Sequence, residues 1–314
     1  MDEHDTRRPG GDELGQGLGP VDARMSEIWR EHHRYLLDVA YRMLGSLNEA
    51  EDVVQEAFAR LLDVDLDDLD DVRGWLVVVV SRRCLDLLRS ARVRREAYVG
   101  PWLPEPLIEP VDDGLDPAER VTLDDSVRMA LLVVLERLTP AERVAFVLHD
   151  VFRFSFDDVA AIVGRSPAAC RQLASRARRH VEDETGPSRF QVDPAVLRTV
   201  ADRFIAAASS GNLEALMQVL DADVVGWTDT GGLRGAPRRA VSGRVRVGST
   251  FLAFLKAFGV QLAPMPVNGE PGVLAMQGYD LLAVLTFEVR DERITRIHSI
   301  ANPDKLAYVR SLLA

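Results

Sequence analysis

The stretch that decides the fold is SFDDVAAIVGRSPAACRQLASRARRHV, residues 155–181, which has the pattern of two short helices separated by Gly164. Ser155 and Ser166 stand where a side-chain oxygen can cap each helix, and Pro167 falls at the first helical position, where its missing N–H costs nothing. Apolar residues recur at helical spacing in both halves, so the two helices can pack against each other. The pattern predicts a helix-turn-helix.

The second of these helices carries cations on the side that faces away from its partner. No acidic residue occurs in it before Glu182. The residues expected to point outward are Arg171, Gln172, Ser175 and Arg178. Guanidinium and amide groups pair with base edges in a major groove, while further cations hold phosphates. The segment therefore favours a DNA-reading helix, and the alternative is an amphipathic hairpin with a solvated basic face.

The composition limits how this chain can contact nucleic acid. Its 314 residues give room for two or three domains with apolar cores. Its formal net charge is −11. A protein that coats DNA indiscriminately normally has a basic balance, so that class is excluded and any DNA contact must be local. Two basic islands exist, one at 82–95 and one in the helix described above.

Several features indicate a protein of the cytoplasm. Cys84 and Cys170 lie inside amphipathic helical patterns, which predicts reduced, packed thiols without a disulfide framework. The longest apolar run, Trp75 to Val80, is too short to cross a bilayer, and the N-terminus has no secretory pattern. We expect residues 1–25, which lack periodicity, to form a disordered leader, and we expect no membrane contact.

The rest of the chain divides into four stretches. Residues 26–96 have helical periodicity, and 97–116 form a linker in which proline is frequent and periodicity stops. A second helical block, 117–184, ends in the helix-turn-helix. Residues 190–314 begin with helical patterns and end with three consecutive strand patterns separated by turn residues. The predicted fold is two all-α domains followed by an α+β domain.

Three blocks of sequence together resemble a known family. They are AEDVVQEAFARL (50–61), RGWLVVVVSRRCLDLLRSARVRRE (73–96) and the block from LTPAERVAF through the helix-turn-helix (138–179). In this order and spacing they resemble bacterial sigma factors of the extracytoplasmic-function group. The resemblance implies sigma region 2 at 26–96, sigma region 4 at 117–184, and a protein that directs core RNA polymerase to promoter DNA.

The resemblance also implies which residues make the contacts. The exposed side of the helix at 50–61 would bind the coiled coil of the polymerase largest subunit, and region 4 would bind the flap. The residues on that helix are Asp52, Gln55, Glu56 and Arg60. Arg82 and Arg83 would hold DNA at the minus-ten element. At the minus-thirty-five element the expected contacts are Arg171, Gln172, Ser175 and Arg176, with Arg165 and Ser166 as phosphate anchors.

An aspartate-rich loop at 63–71 separates the second and third helices of the first domain. Its carboxylates would repel phosphate, so it either cups a base edge or is a solvated turn. It lacks the spacing and the glycine of a calcium loop, and we predict no metal site and no cofactor.

The motifs GPWLPEPL (100–107) and NPDKL (302–306) resemble the subgroup of these sigma factors that continues into a SnoaL-like domain of the nuclear-transport-factor-two superfamily. The resemblance implies a cone of curved sheet and helices that modulates the sigma core in place of a separate anti-sigma protein. Where relatives have an Asp-Gly-Gly-Gly-type segment, this chain reads DTGGLR at 229–234. The expected interdomain residues are Trp102, Leu103, Pro104, Asp229, Asn302, Pro303, Asp304 and Lys305.

The alternative for residues 190–314 is a ligand-sensing or catalytic domain of the isomerase or cyclase type. Such an enzyme would need a carboxylate or histidine as general base inside its pocket. The candidates are Asp229, Tyr279, Asp280 and His298. They form no acid and base pair at recognisable spacing, and a single histidine in a strand is more often a packed residue. We therefore predict that the protein is not an enzyme. Whether the pocket of this domain binds a small apolar ligand is a question the sequence leaves open.

Overall fold

The computed structural model describes residues 20–96, 98, 100–108, 128–185, 192–232 and 239–313. Most of the expected leader, part of the linker and the start of the second helical block lie outside these residues. The first helix, α1, already begins at Pro20, inside the stretch expected to be disordered. Met25 packs against the core of the first domain, and Arg24 pairs with Asp67 at 2.9 Å, which explains why this end of the stretch is helical.

The first helical domain is a bundle with one 3₁₀ turn. Its elements are α1 (Pro20–Leu44), α2 (Leu47–Leu61), the turn at Leu66–Asp68 and α3 (Val72–Glu96). Gly45 follows α1 with a φ of 67°, and Ser46 begins α2 by accepting a hydrogen bond from the Glu49 N–H. The apolar stripe predicted for α2 is buried in the bundle, with Val54 and Ala57 both at 0% exposure.

The second helical domain ends in the helix-turn-helix. Its elements are α4 (Met129–Leu135), α5 (Pro140–Phe146), a π-helical turn at Val147–Val151, α6 (Phe156–Val163) and α7 (Pro167–Thr185). Ser155 and Asp158 form a capping box at α6, and Gly164 ends that helix with a φ of 73°. Ser166 accepts a hydrogen bond from the Ala169 N–H at 3.3 Å. These are the capping and turn roles that the sequence predicts.

The C-terminal domain packs helices against one mixed sheet. Its helices are α8 (Pro194–Ser209), α9 (Leu213–Val219), α10 (Arg244–Phe258) and α11 (Ala307–Leu313). Its strands are β1 (Leu220–Asp229), β2 (Val241–Ser242), β3 (Gln261–Val267), β4 (Glu270–Gln277), β5 (Asp280–Arg290) and β6 (Arg293–Ile300). The strand order is β2-β1-β6-β5-β4-β3, with β1 and β6 parallel and the other neighbours antiparallel.

The sheet separates two apolar cores. On one face α8, α9 and α10 cover the sheet, and the rings of Phe204, Phe251 and Phe287 pack there with centroids 4.9–5.1 Å apart. On the other face, sheet residues such as Val284 and Ile300 pack with Leu103 of the linker and Met129 of α4. This second core joins the C-terminal domain to the linker and to the second helical domain, because both contribute residues to it.

Strand β3 was not expected from the sequence. It contains Pro264 and Pro266, which lower the strand propensity of a segment. The structure accommodates both prolines because β3 is the last strand of the sheet and needs hydrogen bonds only on the side of β4.

The two helical domains contact each other directly. Helix α3 lies against α5 and α6. Phe152, which follows the π-helical turn, meets the Tyr35 ring edge to face at 5.4 Å and lies under the Arg42 guanidinium at 5.2 Å. We call this contact between the helical domains the seam. Among the described residues, no helix combines the length and apolar character that crossing a bilayer requires.

Candidate functional sites

The outward face of α7 brings most of the predicted DNA-reading residues together. Cys170, Leu173, Ala174 and Ala177 are buried on its inner side. Arg171, Gln172 and Arg176 are exposed on the outer side, and Ser175 is half-buried. The Arg176 Nε atom lies 2.8 Å from a Glu142 carboxylate oxygen while 48% of its side chain stays accessible. The guanidinium is therefore oriented without being covered.

The residues before α7 are exposed as well. Arg165 and Ser166 follow the turn at Gly164, and Ser166 already uses its oxygen to cap α7. The Ser166 hydroxyl proton and the Arg165 side chain could still donate hydrogen bonds to a phosphate at this position. Arg178, expected to point outward, is paired with Asp150 at 2.6 Å.

Helix α2 presents the predicted polymerase-binding residues along one side. Asp52, Gln55 and Arg60 are exposed, and Glu56 is half-buried. The Glu56 carboxylate pairs with Arg60 at 2.6 Å and with Arg83 of α3 at 2.8 Å. Glu56 therefore joins α2 to α3, whereas Asp52 projects into solvent.

The two arginines expected at the minus-ten element are both engaged within the chain. Arg83 pairs with Glu56, and Arg82 donates from Nη2 to the backbone carbonyl of Ala161 in α6 at 2.9 Å. Neither contact leaves a pattern in the sequence, because each arginine has its partner on another helix. The middle of α3, where Arg82 lies, contacts the helix-turn-helix domain.

The aspartate-rich loop uses several of its carboxylates for local capping. Asp65 accepts a hydrogen bond from the Asp67 N–H at 3.0 Å, and Asp71 accepts one from the Gly74 N–H at 2.9 Å. Asp67 also pairs with Arg24. Within the part of the chain that the structure describes, no cluster of His, Cys, Asp or Glu side chains could hold a metal ion.

Four of the predicted interdomain residues meet around Asp229, at the end of β1. Its carboxylate, 0% exposed, accepts hydrogen bonds from the Leu103 N–H at 2.8 Å and from Lys305 Nζ at 2.7 Å. Lys305 also donates to the Leu103 carbonyl, and its ammonium lies 3.7 Å from the centroid of the Trp102 ring. We call Asp229, Lys305, Trp102 and Leu103 the linker clamp.

Tyr98 and Asn302 extend the linker clamp. The Tyr98 hydroxyl donates to Asp229 at 2.5 Å and accepts from Asn302 Nδ2 at 3.2 Å. Burial raises the pKa of Tyr98, and the hydrogen bond to Asp229 raises it further, so the phenol stays a donor. Gly231 lies directly above Asn302, since a Cβ at this glycine would be 2.7 Å from Asn302 Oδ1.

The remaining predicted interdomain residues have different roles. Pro303 and Asp304 are exposed and shape the turn that leads to α11, in which the Asp304 N–H donates to Asn302 Oδ1 at 3.1 Å. Pro104 is buried against the corner between α1 and α2, where a Cβ on Gly45 would lie 3.4 Å from its own Cβ. The last residues of the DTGGLR segment, 233 and 234, lie outside the described residues.

The sequence did not single out three further linker-contact residues. Glu105 binds the α1–α2 corner through its carboxylate, Tyr41 donates to the Glu105 carbonyl at 2.6 Å, and Asn268 in the β3–β4 turn donates to Tyr41 Oη at 2.9 Å. Asn268 has a φ of 52°, a conformation in which asparagine is enriched, so an asparagine before a glycine was the available signal.

The four residues considered for catalysis do not form one site. Tyr279 is exposed in the β4–β5 turn, and Asp280 is exposed at the start of β5. The Asp229 carboxylate already accepts hydrogen bonds from Leu103 and Lys305. His298 is 1% exposed and stacks on Trp227 with centroids 5.6 Å apart. Its neighbour Ile297 belongs to the helix-covered core, so the alternation of β6 turns His298 to the opposite face.

Comparisons with known proteins agree with this architecture. The family model for Sigma-70 region 2 matches residues 28–94, and that for Sigma-70 region 4 matches residues 128–181. The curated protein "Probable ECF RNA polymerase sigma factor SigI" of Mycobacterium tuberculosis is 43% identical over 297 residues, which cover 92% of this chain and 97% of that protein. The chain belongs to the extracytoplasmic-function (ECF) family of RNA polymerase sigma factors.

The similarity of this sigma factor to known structures includes the C-terminal domain. The crystal structure of the extracytoplasmic-function sigma factor SigJ of M. tuberculosis aligns with a TM-score of 0.70 at 38% identity, over 90% of this chain and 98% of that one. A SnoaL-like protein of unknown function from Burkholderia thailandensis aligns at 15% identity with a TM-score of 0.29, over 34% of this chain and 95% of that one.

Two expectations from the sequence are thereby confirmed. The protein is an ECF sigma factor, which serves promoter-directed transcription initiation by RNA polymerase. Its fold is two helical sigma domains followed by an α+β domain, an arrangement that matches the SigJ structure over 90% of this chain. The first and second helical domains are called region 2 and region 4 below.

Proposed function

We propose that this sigma factor reads promoter DNA with two separate helices. Helix α7 of region 4 reads the minus-thirty-five element, and α3 of region 2 holds the minus-ten element. The α7 residues are Arg171, Gln172, Ser175 and Arg176, with Arg165 and Ser166 on phosphates, and the α3 residues are Arg82 and Arg83. The exposure of the α7 residues on one face supports the first assignment.

Core RNA polymerase binds α2 in this proposal. Asp52, Gln55, Glu56 and Arg60 meet the coiled coil of the largest subunit, and region 4 meets the flap. Mixed charges on one side of a helix suit an interface that fixes orientation. The protein would act in the cytoplasm, where it meets its polymerase.

The arrangement of regions 2 and 4 corresponds in this proposal to a closed state. Arg82 and Ala161 are 2.9 Å apart, so the minus-ten helix touches the helix-turn-helix. The two promoter elements are separated by about 25 base pairs, which is roughly 80 Å at the rise of B-DNA. Regions 2 and 4 must therefore separate before both elements can be bound.

The C-terminal domain acts as a brake on this opening. The observation that carries the proposal is the environment of Asp229, a fully buried carboxylate of the C-terminal sheet. It accepts hydrogen bonds from the N–H of Leu103 in the linker and from Lys305 Nζ. The same domain contacts the start of region 4, where Arg128 lies 3.3 Å from Glu270. One domain thus holds both the linker and region 4.

Run-off transcription with purified core polymerase tests the brake through D229N. An asparagine still accepts a hydrogen bond from Leu103, but it leaves the buried Lys305 ammonium without its counter-charge, which loosens the clamp. We expect several-fold more transcript than from the unmodified chain. D304N makes the same chemical change at an exposed turn position and should leave transcription unchanged. Equal or lower transcript from D229N, with the chain folded, contradicts the brake.

The geometry does not favour a catalytic or ligand-sensing domain. Asp229, Tyr279, Asp280 and His298 lie at different places in the domain, and Phe204, Phe251 and Phe287 pack together in the helix-covered core. A thermal-shift screen with small apolar compounds, followed by turnover assays on any hit, would reveal such an activity.

A further inference from the structure

The linker residue Glu105 places its carboxylate at the start of α2. Its Oε1 atom accepts a hydrogen bond from the Ser46 hydroxyl at 2.7 Å, and its Oε2 atom accepts one from the Leu47 N–H at 2.7 Å. Its own N–H donates to the Gly45 carbonyl at 2.8 Å. One linker residue therefore makes three hydrogen bonds to the corner between α1 and α2.

This contact completes the N-terminal cap of α2. The first N–H groups of a helix have no partner within the helix. Ser46 satisfies the N–H of Glu49, and Glu105 satisfies the N–H of Leu47, the first residue of the helix. A carboxylate at this end is also favoured by the helix dipole. Glu105 supplies from a distant part of the chain what a local side chain normally supplies.

The C-terminal domain holds Glu105 in place from the other side. Asn268 Nδ2 donates to the Tyr41 hydroxyl at 2.9 Å, and Tyr41 in turn donates to the Glu105 carbonyl at 2.6 Å. The backbone N–H of Asn268 donates to the Leu107 carbonyl at 2.7 Å, and Asn268 Oδ1 accepts from the Leu107 N–H at 3.2 Å. Tyr41, Glu105 and Asn268 are all buried, at 2%, 7% and 1% exposure.

We propose that Glu105 is a positioning residue for polymerase binding and that Asn268 keeps it in position. This inference rests on the proposed function, which assigns polymerase binding to α2. Asp52 lies about 8 Å along the helix axis from Leu47, so a frayed first turn disturbs the binding face. A face held in its bound conformation binds more tightly because less entropy is lost on binding. The C-terminal domain thus supports the grip on polymerase while it restrains opening.

Titration of core polymerase with labelled full-length chain tests the role of Glu105. E105A removes the acceptor of the Leu47 N–H and leaves the Ser46 cap, and we expect roughly fivefold weaker binding if the ~1 kcal/mol typical of a capping side chain is lost from the bound conformation. E105Q keeps one acceptor oxygen and should fall between E105A and the unmodified chain. E214A, at an exposed glutamate of the C-terminal domain, should bind like the unmodified chain.

A double-mutant cycle tests the route through Asn268. N268G removes the side chain without backbone strain, because the φ of 52° suits glycine. It should weaken polymerase binding less than E105A does. Because both residues act through one chain of hydrogen bonds, the double variant should bind no more weakly than E105A alone. Additive losses would overturn the route through Asn268.

A rescue variant separates capping from a general role in stability. S46D returns a carboxylate to the α2 cap from the helix itself, so S46D with E105A should restore binding. Hydrogen exchange at the amides of 47–50 should follow the same order as affinity. Unchanged binding by E105A overturns the proposal, and so does a folded E105A that S46D does not restore. If the unmodified chain fails to bind polymerase, the proposed function fails instead. If E105A does not fold, the test uses E105Q and N268G instead. The proposal is overturned if both of these variants bind polymerase as tightly as the unmodified chain.

Discussion

The two arginine-rich helices, α3 and α7, differ in what their cations touch. On α7 the reading face is open, since Arg171 and Gln172 are exposed and Arg176 keeps 48% of its side chain accessible beside Glu142. On α3, Arg82 is bound to a carbonyl of α6, and Arg83 is bound to Glu56. The α7 face that we propose for DNA is accessible, whereas the arginines of α3 are engaged in contacts within the chain.

This difference indicates an order of events at a promoter. In the function we propose, region 4 meets the minus-thirty-five element in the arrangement described, whereas α3 first leaves α6. Sequence composition cannot reveal such an order, because both helices read simply as basic. The difference lies in the contacts and not in burial, since Arg171 is exposed on α7 whereas the guanidinium groups of Arg82 and Arg83 are held by α6 and by Glu56 although both side chains are accessible.

The largest effect is expected from R171A on the open surface. Loss of a bidentate contact to guanine costs about 1–3 kcal/mol at one promoter position. Holoenzyme binding to a set of promoters, each varied at one base pair, measures this loss. We expect the variant to lose discrimination at one position, because promoters that keep the guanine bind more weakly whereas promoters already varied at that base pair change little.

R179A provides the matched control for R171A. Arg179 is exposed on the same helix, about two turns further on, where we assign it no base contact. Its removal should leave discrimination between bases unchanged, and any loss of binding should be uniform across sequences. A uniform loss from R171A as well would reassign Arg171 to a phosphate and remove the assigned base contact.

The next effect is expected at the seam between regions 2 and 4. F152A removes the ring that packs edge to face on Tyr35, a contact worth about 1 kcal/mol beyond burial. We expect the closed state to weaken and run-off transcription to rise roughly fivefold. Y35A should have a similar effect from the region 2 side, and the double variant should add little.

F258A controls for the loss of an aromatic ring away from the seam. Phe258 is 51% exposed at the end of α10, so its removal should leave transcription unchanged. If F152A folds with an unchanged or lower transcript level, the seam does not restrain opening, and the difference between α3 and α7 has no regulatory meaning.

The sequence predicted local features well because their causes are local. The helix-turn-helix follows from Ser155, Gly164, Ser166 and Pro167, each of which acts on residues within a few positions. The apolar stripe of α2 follows from periodicity alone. The residues that cause such features lie within the same short segment, so the features can be predicted without knowing any distant contact.

The linker contacts were predicted only where a resemblance indicated them. Trp102, Asp229 and Lys305 belong to motifs quoted from the sequence, and the structure brings them together. Glu105 and Asn268 were missed because a cap supplied by a distant residue leaves no periodic pattern. Pairing of Arg82 and Arg83 within the chain could not be foreseen either, since both contacts depend on how helices pack.

The smallest effect is expected on α2, where one carboxylate is paired and another is not. D52N and E56Q each remove one negative charge from the side of α2 that we propose binds polymerase. Glu56 is already paired with Arg60 and Arg83, whereas Asp52 is exposed. We expect E56Q to change the free energy of unfolding by less than about 1 kcal/mol, because the pairs it breaks are partly solvated. Thermal unfolding measures this change.

In titrations of core polymerase, D52N should weaken binding more than E56Q, since Asp52 keeps its charge available. The opposite order would mean that Glu56 leaves Arg83 for the polymerase, so that binding of polymerase itself frees a minus-ten arginine on α3.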